Sequence, residues 1–377
     1  MKILFDLTAT QPDGGKKRHG GARYGEIVLA KILERQYPVA CYYDSRKWLN
    51  PEMQTILDEN NVMLYDIAEQ SLSEIHRQSG CDRIYSALPR RELFNYKGCE
   101  VIGTIHGLRT LEMPADTVFL RYRSLKMRSL GMLLLKKMMG GTYKRFLVKY
   151  KQKELLNGNF RFVTVSYHSQ CAIKAYFPSM AKKEIPVFYS PSTSADREID
   201  RKYTDKYFLC VSARVIEKNV LRAIMAVDKL FDDGYVPDYK VKIAGAESAD
   251  IFRYKIHNPE KFEFLGYVPD EELDQLYHDA YALVYPSLNE GFGYPPLEAM
   301  HYGVPVLASP FTSIPEVCQG AALYFNPASI EEIAARILRI TDTDVRKEYS
   351  ERAKSQYAKI TRKQKDDLEK FVDYLYR

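Results

Sequence analysis

No Cys-x-x-Cys pair occurs in this chain. Its six cysteines, Cys41, Cys81, Cys99, Cys171, Cys210 and Cys318, stand scattered, which suggests neither a disulfide framework nor a zinc site and fits a reducing cytoplasm. No stretch reaches the roughly 20 apolar residues that span a bilayer. The N-terminus, Met1-Lys2-Ile3-Leu4-Phe5-Asp6-Leu7, goes straight into a strand and lacks the form of a signal peptide. No internal repeat of fixed period is visible. Acids are missing from one long segment: between Phe119 and Lys153 lie eleven Lys or Arg residues and no Asp or Glu. Against a net charge of +6, those eleven leave −5 for the rest of the chain.

The basic residues of that segment are Arg121, Arg123, Lys126, Arg128, Lys136, Lys137, Lys144, Arg145, Lys149, Lys151 and Lys153, interleaved with leucines and methionines and interrupted by Gly140-Gly141. The pattern predicts a basic amphipathic helical region suited to an anionic membrane surface or an anionic acceptor, with Arg121, Arg123, Lys126, Arg128, Lys136 and Lys137 as contact candidates. A helix pair packing its apolar faces on the domain is the other reading. Nucleic acid is disfavoured, since few aromatics lie in the run and no DNA- or RNA-binding motif accompanies it.

What is present is otherwise ordinary for a soluble protein: 377 residues, 46% hydrophobic and 28% charged, long for one core and natural for two domains. Apolar runs alternate with helical patterns, predicting α/β architecture with parallel sheets. The candidate strands are 2–7, 39–43, 83–86, 101–105 and 162–166, then 207–212, 240–244, 261–265, 282–285, 304–308 and 322–325. A domain over 1–190, a second over 200–350 and C-terminal helices over 351–377 packing back on the first domain follow. Asp342-Thr343-Asp344 reads as a helix cap, not a metal pair.

Candidate site residues fall at strand ends, where ligands of such sheets bind. Glu290-Gly291-Phe292-Gly293-Tyr294-Pro295-Pro296-Leu297-Glu298 joins a strand to a helix, with two prolines suiting a first helical turn. Helix N-terminal amides attract phosphate, while carboxylates accept from hydroxyls, so the segment offers something to each half of a sugar nucleotide. Read alone, Glu298 could merely complement a helix dipole and Glu290 be a solvated loop acid. Arg214 and Lys218, four apart at another strand end, can clamp a diphosphate. Gly245 permits close approach of a ligand, and Tyr267 offers a face to a planar base. Nearer the N-terminus, Gly20-Gly21 opens a helix without the G-x-G-x-x-G spacing, which disfavours nicotinamide cofactors. His106 follows a strand and can exchange a proton or a hydrogen bond with a sugar hydroxyl.

Taken together, these motifs resemble the retaining glycosyltransferases of family 4. The match is most specific over 207–326, through Arg214-x3-Lys218-Asn219, Phe264-Leu-Gly-Tyr-Val-Pro-Asp-Glu-Glu-Leu273, Pro286-Ser-Leu-Asn-Glu-Gly-Phe-Gly293 and Pro295–Ala299. Gly303-Val-Pro-Val306 and Pro315-Glu-Val317 continue it. The resemblance implies a GT-B fold, two Rossmann-like parallel-sheet domains facing a central cleft, the first for the acceptor and the second for the nucleotide sugar. It implies hexosyl transfer to a lipid-linked saccharide in bacterial cell-surface polysaccharide assembly, with no metal and no cofactor, by a cytoplasmic protein peripheral to the inner membrane face. Glu290 would grip donor-sugar hydroxyls, and Gly291, Phe292 and Gly293 the sugar or phosphate. Glu298 would hold the ribose, Arg214 and Lys218 the departing diphosphate, and His106 the sugar near its reacting carbon. Gly107 stands where relatives often carry an acid. A nucleotide-sugar epimerase on the same fold and a non-catalytic sugar-nucleotide-binding protein are the alternatives.

Overall fold

The computed structural model describes residues 1–12, 20–123, 127–155, 160–191 and 206–377. Its contacts gather into two units. One comprises Met1–Leu108, Phe146–Thr193 and Thr361–Arg377, and the other Arg109–Arg145 and Ser194–Ile360.

In the first unit, β1 (Ile3–Asp6), β2 (Val39–Tyr43), β3 (Met63–Asp66), β4 (Arg83–Ser86), β5 (Glu100–Ile105) and β6 (Phe160–Thr164) form one parallel sheet in the order β3-β2-β1-β4-β5-β6. Ile3, Leu4 and Phe5 on β1 are fully buried, as a central strand covered on both faces demands. The sequence reading missed β3. It is an edge strand whose first residue, Met63, is 57% exposed and whose other three are only partly buried, so it has no continuous apolar run.

In the second unit, β7 (Lys206–Cys210), β8 (Tyr239–Ala244), β9 (Phe262–Gly266), β10 (Ala282–Tyr285), β11 (Val306–Ala308) and β12 (Ala322–Tyr324) form another parallel sheet, β12-β11-β10-β7-β8-β9. Counted from each unit's own first strand, both sheets have the order 3-2-1-4-5-6. The first and fourth strands are therefore neighbours in each. Crossovers leave them in opposite directions, opening a crevice beyond their carboxyl ends. The helix after β7, Val220–Asp232, buries Val220, Ile224, Val227 and Phe231, the positions its sequence periodicity marks.

Two assignments made from sequence need correction. Residues 109–145, placed there in a domain ending at 190, cluster with the second unit. Tyr122 is fully buried with its ring 5.2 Å from that of Phe252. The Arg123 N–H donates to the Ile251 carbonyl at 2.8 Å, and the Arg253 N–H to the Arg121 carbonyl at 2.6 Å. The Arg222 guanidinium clasps the Asp116 carboxylate through two hydrogen bonds of 2.8 Å. Secondly, one helix, Thr343–Leu375, replaces a domain ending at 350 with separate helices beyond. Asp342 Oδ1 accepts from the Asp344 and Val345 amides at its start. From Thr361 onward the helix belongs to the first unit, where Phe371, Val372 and Leu375 are buried and Arg83 donates to the Leu375 carbonyl.

The basic segment forms a helix, Met127–Leu155, broken at Gly140 (φ 42°, ψ −111°), where only glycine tolerates the geometry. Leu134, Leu135, Met138 and Met139 are exposed, Met138 at 84%, so these apolar side chains do not pack on the domain. Arg121, Arg123 and Lys137 are exposed as well. Lys126 lies outside the described residues, as do the side chains of Arg128 and Lys136. Among the described residues, no helix is long and apolar enough to cross a membrane.

Burial raises the Asp116 carboxyl, but the hydrogen bonds from Arg222 and Val118 outweigh it and leave the group below its ordinary value. A carboxylate lowered on folding contributes stability that is complete above its unfolded value near pH 4 and lost as pH falls through the folded one. Asp116→Asn should cost about 1.5–3 kcal/mol at neutral pH and flatten the acid limb of the stability profile. Urea denaturation from neutral to acid pH measures both. An unchanged acid limb would mean the clasp contributes nothing.

Candidate functional site

The chain leaves β7 through Val211–Val215, makes a short turn at Ile216–Lys218 and starts the next helix after Asn219. It leaves the neighbouring β10 through Pro286–Gly293 and starts the helix Tyr294–His301. Asn219 joins the two exits. Held in the left-handed region at φ 56°, its amide donates to the Pro286 carbonyl at 3.1 Å and the Pro327 carbonyl at 2.8 Å. The Leu288 N–H adds a bond of 2.8 Å to the Glu217 carbonyl.

These ties bring Lys218 and Glu290 into contact. Lys218 Nζ donates to Glu290 Oε1 at 2.7 Å and to the Tyr285 hydroxyl at 2.7 Å, and that hydroxyl donates to the same Oε1 at 2.6 Å. Ser287 Oγ supplies a third donor to Oε1 at 2.5 Å. The Lys218 and Glu290 side chains are 17% and 10% exposed, so the pair is shielded yet reachable from solvent. Tyr285 is 1% exposed; burial first, then the Glu290 charge, pushes its phenol well above the ordinary value and keeps it a donor. Glu298, half-buried in the following helix, also acts on this phenol. Both glutamates and the lysine thus converge on one strand end.

Arg214 lies in the same β7 exit, but with Glu247 as partner at 3.3 Å and side chains 56% and 73% exposed. An exposed pair of this kind is weak, and an incoming dianion would displace Glu247 readily. Gly245, directly after β8, has φ +91°, and a Cβ there would stand 3.1 Å from Ala213 N and Ser212 Cα, so glycine is required. Tyr267 follows β9 and is 56% exposed. Gly293, at φ +111°, turns the chain into the helix Tyr294–His301, with the predicted prolines in its first turn.

Three predicted site residues belong to the first unit. His106, after β5, donates from Nε2 to the Ala87 carbonyl at 2.9 Å and meets the Tyr24 ring edge-on at 4.9 Å. The carbonyl can only accept, so the neutral ring carries its proton on Nε2. Gly20 begins the helix Gly20–Glu34. A Cβ on Gly21 would strike Leu88 Cδ1 at 2.4 Å, which gives this glycine a packing role. Among the described residues, no cluster of His, Cys, Asp and Glu is arranged to hold a metal.

Sequence reasoning missed Tyr285, Ser287, Thr312 and Ser313. Thr312 Oγ1 accepts from the Glu290 N–H at 2.9 Å, and Ser313 Oγ donates to the Glu290 and Phe292 carbonyls at 3.1 and 2.9 Å. Hydroxyls in apolar or turn segments carry no signal of their own until the fold places them.

Two parallel-sheet α/β units with a cation–carboxylate pair at a switch point define the class. WaaG, a glycosyltransferase involved in lipopolysaccharide biosynthesis, aligns over 99% of both chains with a TM-score of 0.67 at 15% identity. Anabaena HepE, solved in complex with UDP and glucose, aligns over 100% of this chain and 99% of its own with a TM-score of 0.65 at 13% identity. The fold is GT-B. Residues 192–356 match the family described as Glycosyl transferases group 1. Among curated relatives, the O-antigen chain mannosyltransferase RfbU of Salmonella typhimurium is 34% identical over 189 residues, 49% of this chain and 51% of that protein. The O-antigen chain mannosyltransferase B of Escherichia coli is 52% identical over 81 residues, 22% of this chain and 21% of that protein. The chain thus spans about half the length, or less, of these relatives.

The Lys218–Glu290 contact predicts a measurable coupling. In a double-mutant cycle of Lys218→Met and Glu290→Gln, the pair should show an interaction energy of about 1–3 kcal/mol by urea denaturation without ligand. A value near zero would mean that the two groups do not meet in solution.

Proposed function

We propose that this chain is a retaining hexosyltransferase that moves a mannosyl residue from a nucleoside diphosphate sugar to a saccharide acceptor in cell-surface polysaccharide assembly. The observation that carries the reading is the Lys218–Tyr285–Glu290 triangle at the switch point of the second sheet. It combines a cation for a diphosphate with a held carboxylate for sugar hydroxyls. Mannose is favoured because the O-antigen enzymes similar to part of this chain are mannosyltransferases. The UDP seen with HepE supports a nucleotide in this class of site, while leaving the base to experiment.

On this reading Lys218 and Arg214 take the diphosphate, whose negative charge grows as the bond to the sugar C1 breaks. The amides of Gly291, Phe292 and Gly293 face sugar or phosphate, Tyr267 and Gly245 border the base, and Glu298 holds the ribose. The acceptor oxygen forms the new bond on the face the leaving group departs from, and its proton passes to the leaving phosphate oxygen. These cations supply the stabilisation a metal would otherwise give, so no metal is needed. On the first unit, His106, Gly20 and Gly21 are the residues proposed to approach substrate.

The acceptor is proposed to be lipid-linked and the protein peripheral on the cytoplasmic membrane face. Support comes from the acid-free segment 119–153 and from the exposed Leu134, Leu135, Met138 and Met139 beside the exposed Lys137. Apolar side chains entering the headgroup boundary beside lysines is the interfacial mode of binding.

Two tests apply. Thermal unfolding with GDP-, UDP-, ADP- and dTDP-sugars should single out one sugar nucleotide, because a ligand at 100 times its Kd adds about 2.7 kcal/mol. No shift with any sugar nucleotide would overturn the transferase reading. Flotation with anionic vesicles should carry the protein, and Leu134→Ser with Met138→Ser should weaken this about tenfold or more. Binding indifferent to both lipid charge and these substitutions would remove the membrane assignment.

A further inference from the structure

Glu290 is held more completely than a solvent-facing loop acid needs. Its Oε1 receives all three side-chain donors, Lys218 Nζ, Tyr285 Oη and Ser287 Oγ. Among the described residues, Oε2 makes no hydrogen bond or ion pair. The backbone is fixed too: Thr312 accepts from its N–H, and Ser313 donates to its carbonyl. Thr312 sits at φ 54°, a conformation that costs a β-branched residue about 1–2 kcal/mol. Its Oγ1 also donates to the Phe311 carbonyl at 2.8 Å, which orients the lone pairs toward the Glu290 N–H. Strain at one residue whose hydroxyl grips the candidate acid is a sign of positioning.

We propose that Tyr285, Ser287 and Thr312 are positioning residues that lock the Glu290 carboxylate with Oε1 engaged inside the protein and Oε2 alone presented to the transferred sugar. The inference rests on the donor-site reading above and deepens it by naming what selects the sugar half of the donor. A carboxylate with one engaged oxygen cannot rotate to exchange its two faces. The remaining oxygen has a fixed direction, so it accepts from one side of the sugar ring. Stereoisomers that differ at the gripped hydroxyl are then separated by a lost hydrogen bond to a charged acceptor. Lys218 meets the same phenol from the other side, so the phosphate cation and the sugar acceptor are held by one group. Rotation of the carboxylate is frozen before the ligand arrives, and binding loses correspondingly less entropy.

The test separates the sugar from the nucleotide. Affinities for GDP-mannose and GDP, and for UDP-glucose and UDP, are measured by calorimetry on wild type, Tyr285→Phe, Thr312→Gly and Thr312→Ser. Tyr285→Phe and Thr312→Gly should both weaken the preferred sugar nucleotide about tenfold or more, and Thr312→Gly, which leaves the Lys218 contacts in place, should change the matching diphosphate less than about twofold. Thr312→Ser, which keeps the hydroxyl, should restore the wild-type ratio. A series of monodeoxy sugar nucleotides should contain one member bound equally by wild type and Tyr285→Phe, the one lacking the gripped hydroxyl. Equal weakening of sugar nucleotide and diphosphate by Thr312→Gly, or none, would overturn the positioning assignment. The Thr312 pair keeps the test decisive even where Tyr285→Phe unfolds. Wild type binding diphosphates but gaining nothing from any sugar would instead overturn the sugar-donor reading itself.

Discussion

Strands β7 and β10 lie side by side, and the chain leaves both at the same edge of the sheet. Everything at the candidate site depends on that adjacency. Lys218 and Glu290 are 72 residues apart in sequence, and nothing local draws them together. The switch in strand order does so, by sending one crossover to each side and leaving the two exits facing each other. Asn219 then ties the exits together through the Pro286 carbonyl, and its second bond, to the Pro327 carbonyl, fixes it to the chain beyond β12. Prolines have no N–H to contribute, but their carbonyls remain strong acceptors, and a side-chain amide in a left-handed turn reaches them. Glu290 Oε1, with three donors within 2.7 Å, is the point on which these constraints converge.

That convergence is also what makes the charges tolerable. Removing an ammonium and a carboxylate from water is costly unless each finds a partner and the remaining hydrogen-bonding capacity is filled. Here the phenol and the serine hydroxyl fill it on one oxygen, and solvent reaches the other. Arg214 follows the opposite logic. It is held by an exposed, loosely placed Glu247, so its position is set more by the field of whatever binds than by the fold. One cation is fixed by the fold and the other is adaptable, an arrangement that would suit the proposed diphosphate, whose terminal charge develops only as the bond to the sugar breaks.

The sequence carried most of the strands, because central parallel strands read as continuous apolar runs. It hid β3, whose position at the edge leaves Met63 exposed. It marked the charged and glycine positions of the candidate site, since Arg214, Lys218, Glu290, Glu298 and Gly245 are residue types that strand ends seldom need for packing. It did not mark Tyr285, Ser287 or Thr312. A tyrosine at the end of an apolar strand reads as core, and a threonine in a turn gives no hint of a positive φ. Nor did it show that residues 109–123 join the second unit. The Asp116–Arg222 clasp and the Tyr122–Phe252 contact that decide this are long-range pairings with no periodic signature.

The two sheets share one strand order, yet no repeat is visible in the sequence. The explanation lies in what each switch point must do. In the first unit, the ends of β1 and β4 meet through Ser86, whose hydroxyl donates to Asp6 at 2.7 Å, and Thr8 donates to the same carboxyl at 2.6 Å. All three groups are buried, and burial raises the Asp6 carboxyl despite those bonds. A carboxyl so enclosed closes the crevice with a short polar plug. At the matching point of the second unit, the acid lies five residues beyond its strand instead of at a strand's last position, with a lysine facing it and solvent beside it. The two acids stand on different strands of the shared order, Asp6 at the end of the first and Glu290 beyond the fourth, so one is enclosed and the other keeps an oxygen to offer. Topology therefore fixes where the two exits meet, while the placement of charge on those strands decides whether they form a plug or a site.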